Sequence, residues 1–272
     1  NPLTSVFMVS ATDGWAVGWY GTILHYSGGG WSTVTSPTTN PLTSVFMVSA
    51  TDGWAVGALG TILHYAGGSW STVTSPTAKY LWSVFMVNGS DGWAVGWYGT
   101  ILHYAGGSWS TVTSPTANDL YSVFMVSGSD GWAVGDSGTI LHYSGGSWSS
   151  VPSPRANDLY SVFMVWGSDG WAVGSSGTII HYSGGSWTTV TSPTTRDLWS
   201  VFMVNGSDGW AVGFGGTILH YSGGAWRAVP RQTTSDLSSV FMVSASDGWA
   251  VGSGGTILHY SGGAWSNVTS PI

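Results

Sequence analysis

Seven histidines stand at one spacing: His25, His64, His103, His142, His181, His220 and His259, each 39 residues after the last. Seven aspartates, Asp13, Asp52, Asp91, Asp130, Asp169, Asp208 and Asp247, keep the same step. Imidazole and carboxylate are the groups of general acid–base catalysis and of metal ligation. Ligation needs a nitrogen about 2.0–2.1 Å from the ion, whereas sheets carrying equivalent residues of successive units pack about 10 Å apart. Neighbouring histidines of such an array do not share an ion. They read as structural hydrogen-bonding groups, and the aspartates as turn formers able to accept a hydrogen bond from a nearby His or backbone.

The elements that position these groups follow from the repeat. Asp13-Gly14-Trp15-Ala16-Val17-Gly18 and, after two freely changing residues, Gly21-Thr22-Ile23 return seven times. Ser5–Val9 is a short apolar run of β-formers bounded by small polar residues, hence a first strand. Asp13-Gly14 reads as a hairpin turn, Trp15–Val17 as a second strand and Gly18-x-x-Gly21 as a second turn. Thr22–Tyr26, the Gly28-Gly29 turn and Trp31–Thr35 complete the unit, and Ser36-Pro37 with about six further residues leads to the next.

Four antiparallel strands in each of seven units predict an all-β fold, a seven-bladed β-propeller with a 39-residue repeat. The blades fall at about 1–39, 40–78, 79–117, 118–156, 157–195, 196–234 and 235–272 of a single domain. A β-solenoid competes, but its coils are shorter and parallel, and tight glycine turns demand hairpins. Because the chain divides into whole blades, the seam is expected to close by face-to-face packing of the first and last. Blades pressed on both sides should be apolar on both faces of their first two strands. Trp15, Trp31 and their copies, fourteen of the nineteen tryptophans, then fill the wedge, and Ser, Thr and Pro37 protect the edge strand.

Composition removes several classes of function. There are 12 Asp and no Glu against Lys79, Arg155, Arg196, Arg227 and Arg231, a net charge of -7. Phosphate backbones and anionic headgroups are bound by clustered cations, so neither nucleic acid nor a membrane surface is expected as a partner. With no cysteine there is no disulfide or thiol chemistry. No apolar run of membrane-spanning length and no signal peptide is present. The start at Asn1 reads as a mature or excised chain. Abundant Ser, Thr, Gly and Trp with a single Lys point to an extracellular or periplasmic monomer without a cofactor.

Gly-Trp-Ala-Val-Gly, then Gly-Thr-Ile-Leu, then Gly-Gly-x-Trp resembles the blade of the photosystem II assembly factor propellers and, more loosely, the Asp-box (BNR) repeats of sialidase-type propellers. The resemblance runs through all seven units and implies the propeller fold. The Asp-box pattern, Ser-x-Asp-x-Gly-x-Thr-Trp, is reduced here to Ser27-Gly28-Gly29-Gly30-Trp31. Sialidase activity would require an arginine cluster and a Tyr/Glu pair, and this chain has no Glu and no Arg before Arg155. The basic patches of the assembly factors are not matched by five scattered cations.

Function should mark the places where the copies differ. Of the 39 offsets, 21 are identical in all seven units. Variation gathers in the pair between the glycines, which is Trp19-Tyr20, Ala58-Leu59, Trp97-Tyr98, Asp136-Ser137, Ser175-Ser176, Phe214-Gly215 and Ser253-Gly254, and in the linker between blades. Both connections emerge at the same end of an antiparallel blade. Drift in exposed turns favours small polar residues, whereas exposed aromatic clusters mark contact surfaces. The candidate ligand-binding residues are therefore Trp19, Tyr20, Trp82, Trp97, Tyr98, Tyr121, Asp136, Tyr160, Trp199 and Phe214.

The expected function is non-enzymatic, a lectin-like recognition of carbohydrate, with rings under sugar C–H faces and short polar side chains on the hydroxyls. The alternative is a protein- or peptide-binding scaffold or assembly factor using Trp and Tyr anchors on the same face. Loops that change from blade to blade count against a repeated sugar site. Glycoside hydrolysis needs two carboxylates about 5–10 Å apart, and Asp119, Asp136, Asp158, Asp197 and Asp236 are the non-repeated candidates. The same residues are the ones that could hold Ca²⁺. All lie in turns, where Asp commonly caps the local backbone.

Overall fold

The computed structural model describes residues Asn1–Ile272, folded as a seven-bladed β-propeller of seven four-stranded antiparallel sheets with strands in chain order. In the first blade these are β1 (Leu3–Ser10), β2 (Asp13–Gly18), β3 (Ile23–Ser27) and β4 (Gly30–Thr33). The β1 hairpin turns two residues earlier than its sequence suggests. Asp13 pairs with Ser10 inside the ladder, which leaves Ala11-Thr12 as the turn and frees the Asp13 carboxylate for another partner. Gly28 and Gly29, at φ 60° and 83°, make the β3–β4 turn with both central residues left-handed, matching the strand twist. The fourth strand stops at Thr33 in place of Thr35.

Each core lies between blades. Trp15, Val17 and Ile23 of the first blade close on Leu42, Val45, Met47, Ala55, Leu63 and Trp70 of the second. Trp249, Val251 and Ile257 of the seventh meet Leu3, Val6, Met8, Ala16, Leu24 and Trp31 of the first in the same way. The seam thus closes face to face, with no strand exchanged. The second strand is buried from Gly14 to Gly18. The first strand alternates, contrary to the sequence expectation: Val6 and Met8 are buried while Phe7 and Val9 are only partly so. As the innermost strand it turns one edge to the axis, where seven phenylalanines form a closed ring with centroids 4.7–4.9 Å apart.

A polar belt runs beside that ring. Ser5 Oγ accepts the N–H of Val45 at 3.2 Å, and the bond repeats around the molecule until Ser239 Oγ accepts from Val6. Ser5 belongs to a segment identical in every blade, so the belt is continuous.

Candidate binding face

The acid–base groups pair with one another. In every blade the His Nε2 lies 2.6–2.8 Å from the Asp Oδ1 of the neighbouring strand, as in His25 and Asp13. The imidazole also stacks on the buried indole of Trp15 with centroids 4.2 Å apart. No group of three metal-ligating side chains forms. The repeated His and Asp are thereby engaged as the outer braces of each blade, and chemistry has to be sought among residues that do not repeat.

A β-bulge sets those residues in place. Leu3 pairs with Gly18 and Ser5 with Val17, so Thr4 is the unpaired extra residue of β1. Its six equivalents are Thr43, Trp82, Tyr121, Tyr160, Trp199 and Ser238. Bulges re-aim a side chain out of the pleat. The sequence assigns these rings to the linker, but they sit on the second residue of the innermost strand, at the mouth of the channel. In the first two blades the Thr hydroxyl is used internally, Thr4 Oγ1 donating to the carbonyl of Leu42 at 2.7 Å. From the third to the sixth blade an aromatic ring replaces it.

These rings join others into a crescent. Trp82 lies 5.8 Å from Tyr121, and Tyr121 lies 5.5 Å from Tyr160. In the other direction Tyr80 contacts Trp82 at 4.5 Å and stacks on Trp97 at 5.1 Å, and Trp97 meets Tyr98 at 6.2 Å. Six rings are thus continuous over three blades. Tyr98 is 65% exposed and Trp97 39%, whereas Trp82, Tyr121 and Tyr160 are half-buried. Trp199 and Phe214 form a second, smaller contact at 6.3 Å. Trp19 and Tyr20 face one another on the first blade and reach no ring of another.

The turn that carries Tyr98 is held from the next blade. Tyr98 has a left-handed backbone, φ 55°, and its N–H donates to Asp119 Oδ1 at 2.8 Å. Ser137 to Asp158, Ser176 to Asp197 and Gly215 to Asp236 repeat the bond. Pro2, Pro41 and Tyr80 stand at the equivalent positions of the first three blades and supply no carboxylate. Four of the five non-repeated aspartates are therefore inter-blade clamps. The fifth, Asp136, lies against Asp158, whose carboxylate, with burial, pushes the Asp136 carboxyl above its ordinary pKa. Burial and the surrounding Asp136, Asp158 and their neighbours raise the phenols of Tyr121 and Tyr160 to about 12.

Sequence reasoning left three exposed or bridging residues outside the site. Tyr80 bridges Trp82 and Trp97, and only its contacts reveal it. Leu59 is 71% exposed and Trp166 is 66% exposed. Trp166 lies at the opposite end of the blade, where the other copies have Ser or Asn, a difference visible in the aligned repeats. The three main concavities of the surface are lined by no residue of the crescent. One of about 260 Å³ is polar and bounded by Arg155, Asn157, Ser176 and Ser192. Another of about 300 Å³ is bounded by Trp210, His220, Tyr260 and Trp265.

No family model matches the chain, and no curated protein matches it. Among solved structures it is similar to YCF48 bound to D1 peptide, at 18% identity and a TM-score of 0.78, over 96% of this chain and 91% of that one. It is also similar to YCF48 from Cyanidioschyzon merolae, at 17% and 0.78 over 96% and 95%. The WD40 β-propeller domain of Doa1 gives 15% and 0.81 over 96% and 93%. The likeness to assembly-factor propellers read from the repeat is met in YCF48, while the looser Asp-box likeness has no counterpart among these three. What the chain shares with them is the architecture, a seven-bladed β-propeller.

Proposed function

We propose that this propeller is a protein- or peptide-binding module whose partner lies across the aromatic crescent of the third to fifth blades. The observation that carries the reading is the continuity of six rings from Tyr98 to Tyr160. An open line of rings over three blades suits an extended chain, with Trp and Tyr as anchors. Clamped turns and bulged strands hold the rings before a partner arrives, which lowers the ordering cost of binding. One propeller of the same fold, YCF48, has a solved structure bound to D1 peptide. A non-enzymatic role is in keeping with carboxylates spent on backbone N–H groups.

A protein or peptide partner is the alternative that the sequence offers, and it is favoured here over the lectin-like reading. Multivalent sugar recognition gains its avidity from repeated sites, and the crescent occurs once. Selection of phage-displayed random peptides on the intact protein tests the proposal. Binding peptides should lose about tenfold or more in affinity to the Trp97→Ala, Tyr121→Ala double variant, the effect expected of central aromatic anchors, and should be indifferent to Trp166→Ala at the opposite end. Hits on a glycan array with no peptide selected would restore carbohydrate as the ligand.

A further inference from the structure

Tyr121 and Tyr160 differ from the other rings of this face in their charged surroundings. At two exposed rings of this face the molecule supplies its own cation: Lys79 Nζ lies 5.6 Å from the centre of Tyr98, and the Arg196 guanidinium 5.9 Å from that of Phe214. Between them, Tyr121 and Tyr160 stand 5.5 Å apart beside Asp136 and Asp158 with no such cation. No Lys or Arg nitrogen lies within 4.0 Å of any carboxylate oxygen in the molecule, the ion pairs being the seven His–Asp contacts alone.

We propose that the partner on the crescent is a basic peptide segment, one of whose arginine or lysine side chains seats at Tyr121 and Tyr160 against the carboxylates of Asp136 and Asp158. The inference rests on the peptide reading of the crescent and names the chemistry of its occupant. Charge complementarity selects that occupant. Two carboxylates side by side repel each other, and a cation between them turns that repulsion into two charge-assisted hydrogen bonds. Flanking aromatic faces attract the same cation through their quadrupoles. The Asp136 carboxyl, held above its ordinary pKa by Asp158 and burial, reports the same unbalanced negative field. Asp158 keeps one oxygen on the Ser137 N–H at 2.9 Å, which fixes the carboxylate as a rigid half of the site.

Phage-selected peptides supply the probe. Synthetic copies are made with each arginine replaced by citrulline, which keeps the shape and loses the charge, and are measured by calorimetry on the wild type and on Asp136→Asn. The expected result is selection of Arg- or Lys-containing peptides, with about a tenfold loss on citrulline replacement, the worth of one charge-assisted contact. Asp136→Asn should shrink that discrimination while melting no lower than the wild type. Neutral or acidic peptides that still depend on Trp97 would overturn the basic-segment inference and leave the peptide reading standing. An unchanged citrulline effect in a folded Asp136→Asn would do the same. If no peptide is selected at all, both fall together.

Discussion

The backbone N–H of Tyr98 donates to Asp119 Oδ1 at 2.8 Å across the boundary between the third and fourth blades. One blade therefore holds the turn that displays its neighbour's most exposed crescent ring. Asp119→Ala should cost about 1 kcal/mol in a denaturant titration, the net worth of a partly exposed hydrogen bond. It should also weaken peptide binding although Asp119 need not touch the peptide. Equal binding with lowered stability would show that the clamp serves the fold only.

Leu59 occupies the left-handed turn position at φ 55° and is 71% exposed. A β-carbon there costs roughly 1–2 kcal/mol, and an exposed side chain returns little packing for it. Leu59→Gly should therefore raise the melting temperature slightly, since the entropy glycine loses, about 0.5–1 kcal/mol, offsets only part of the gain. The next residue behaves oppositely. Gly60 is at φ 70° with a β-carbon position 1.9 Å from the carbonyl oxygen of Thr77, so Gly60→Ala must shift backbone and should lower the melting temperature sharply.

Asp136 gives a pH dependence of known sign. Its carboxyl is raised above the ordinary 3.8 by Asp158 and burial, so the folded state holds its proton more tightly than the unfolded chain. The stability attached to that proton is whole below about pH 3.8 and is lost as pH rises through the folded value. Asp136→Asn should accordingly melt above the wild type at pH 7, with the difference closing toward pH 3. A constant difference at all pH values would contradict the pairing.

Tyr121 and Tyr160 ionise late, both at about 12. A phenolate absorbance titration should show a final step that disappears in Tyr121→Phe, Tyr160→Phe. Because both values lie above the ordinary 10.0, folding should lose stability as pH climbs from 10 through 12. The double variant should lose less.

Chelation offers a separate check on the carboxylates. Asp119, Asp158, Asp197 and Asp236 each hold a backbone N–H of the preceding blade. Excess EDTA should leave the melting curve unchanged, and a drop on chelation would return Ca²⁺ to consideration.

What the sequence determined alone was the repeating architecture. A 39-residue period, glycines in the turns on either side of the third strand and tryptophan at fixed offsets define the blade, its four strands and their number, because every copy solves the same local packing problem. It also located the end of the disc where the copies differ. Only the tertiary structure decided which of those differences act together. The bulge at Thr4 is a matter of pairing between β1 and β2, so linear spacing placed Trp82 and Tyr121 in a linker when they stand at the channel mouth. Trp19 and Tyr20 have the same residue types as Trp97 and Tyr98, yet only the latter pair joins a line of rings, because Tyr80 is there to bridge it. Contacts between blades join residues from 21 to 233 positions apart, and no local pattern records them.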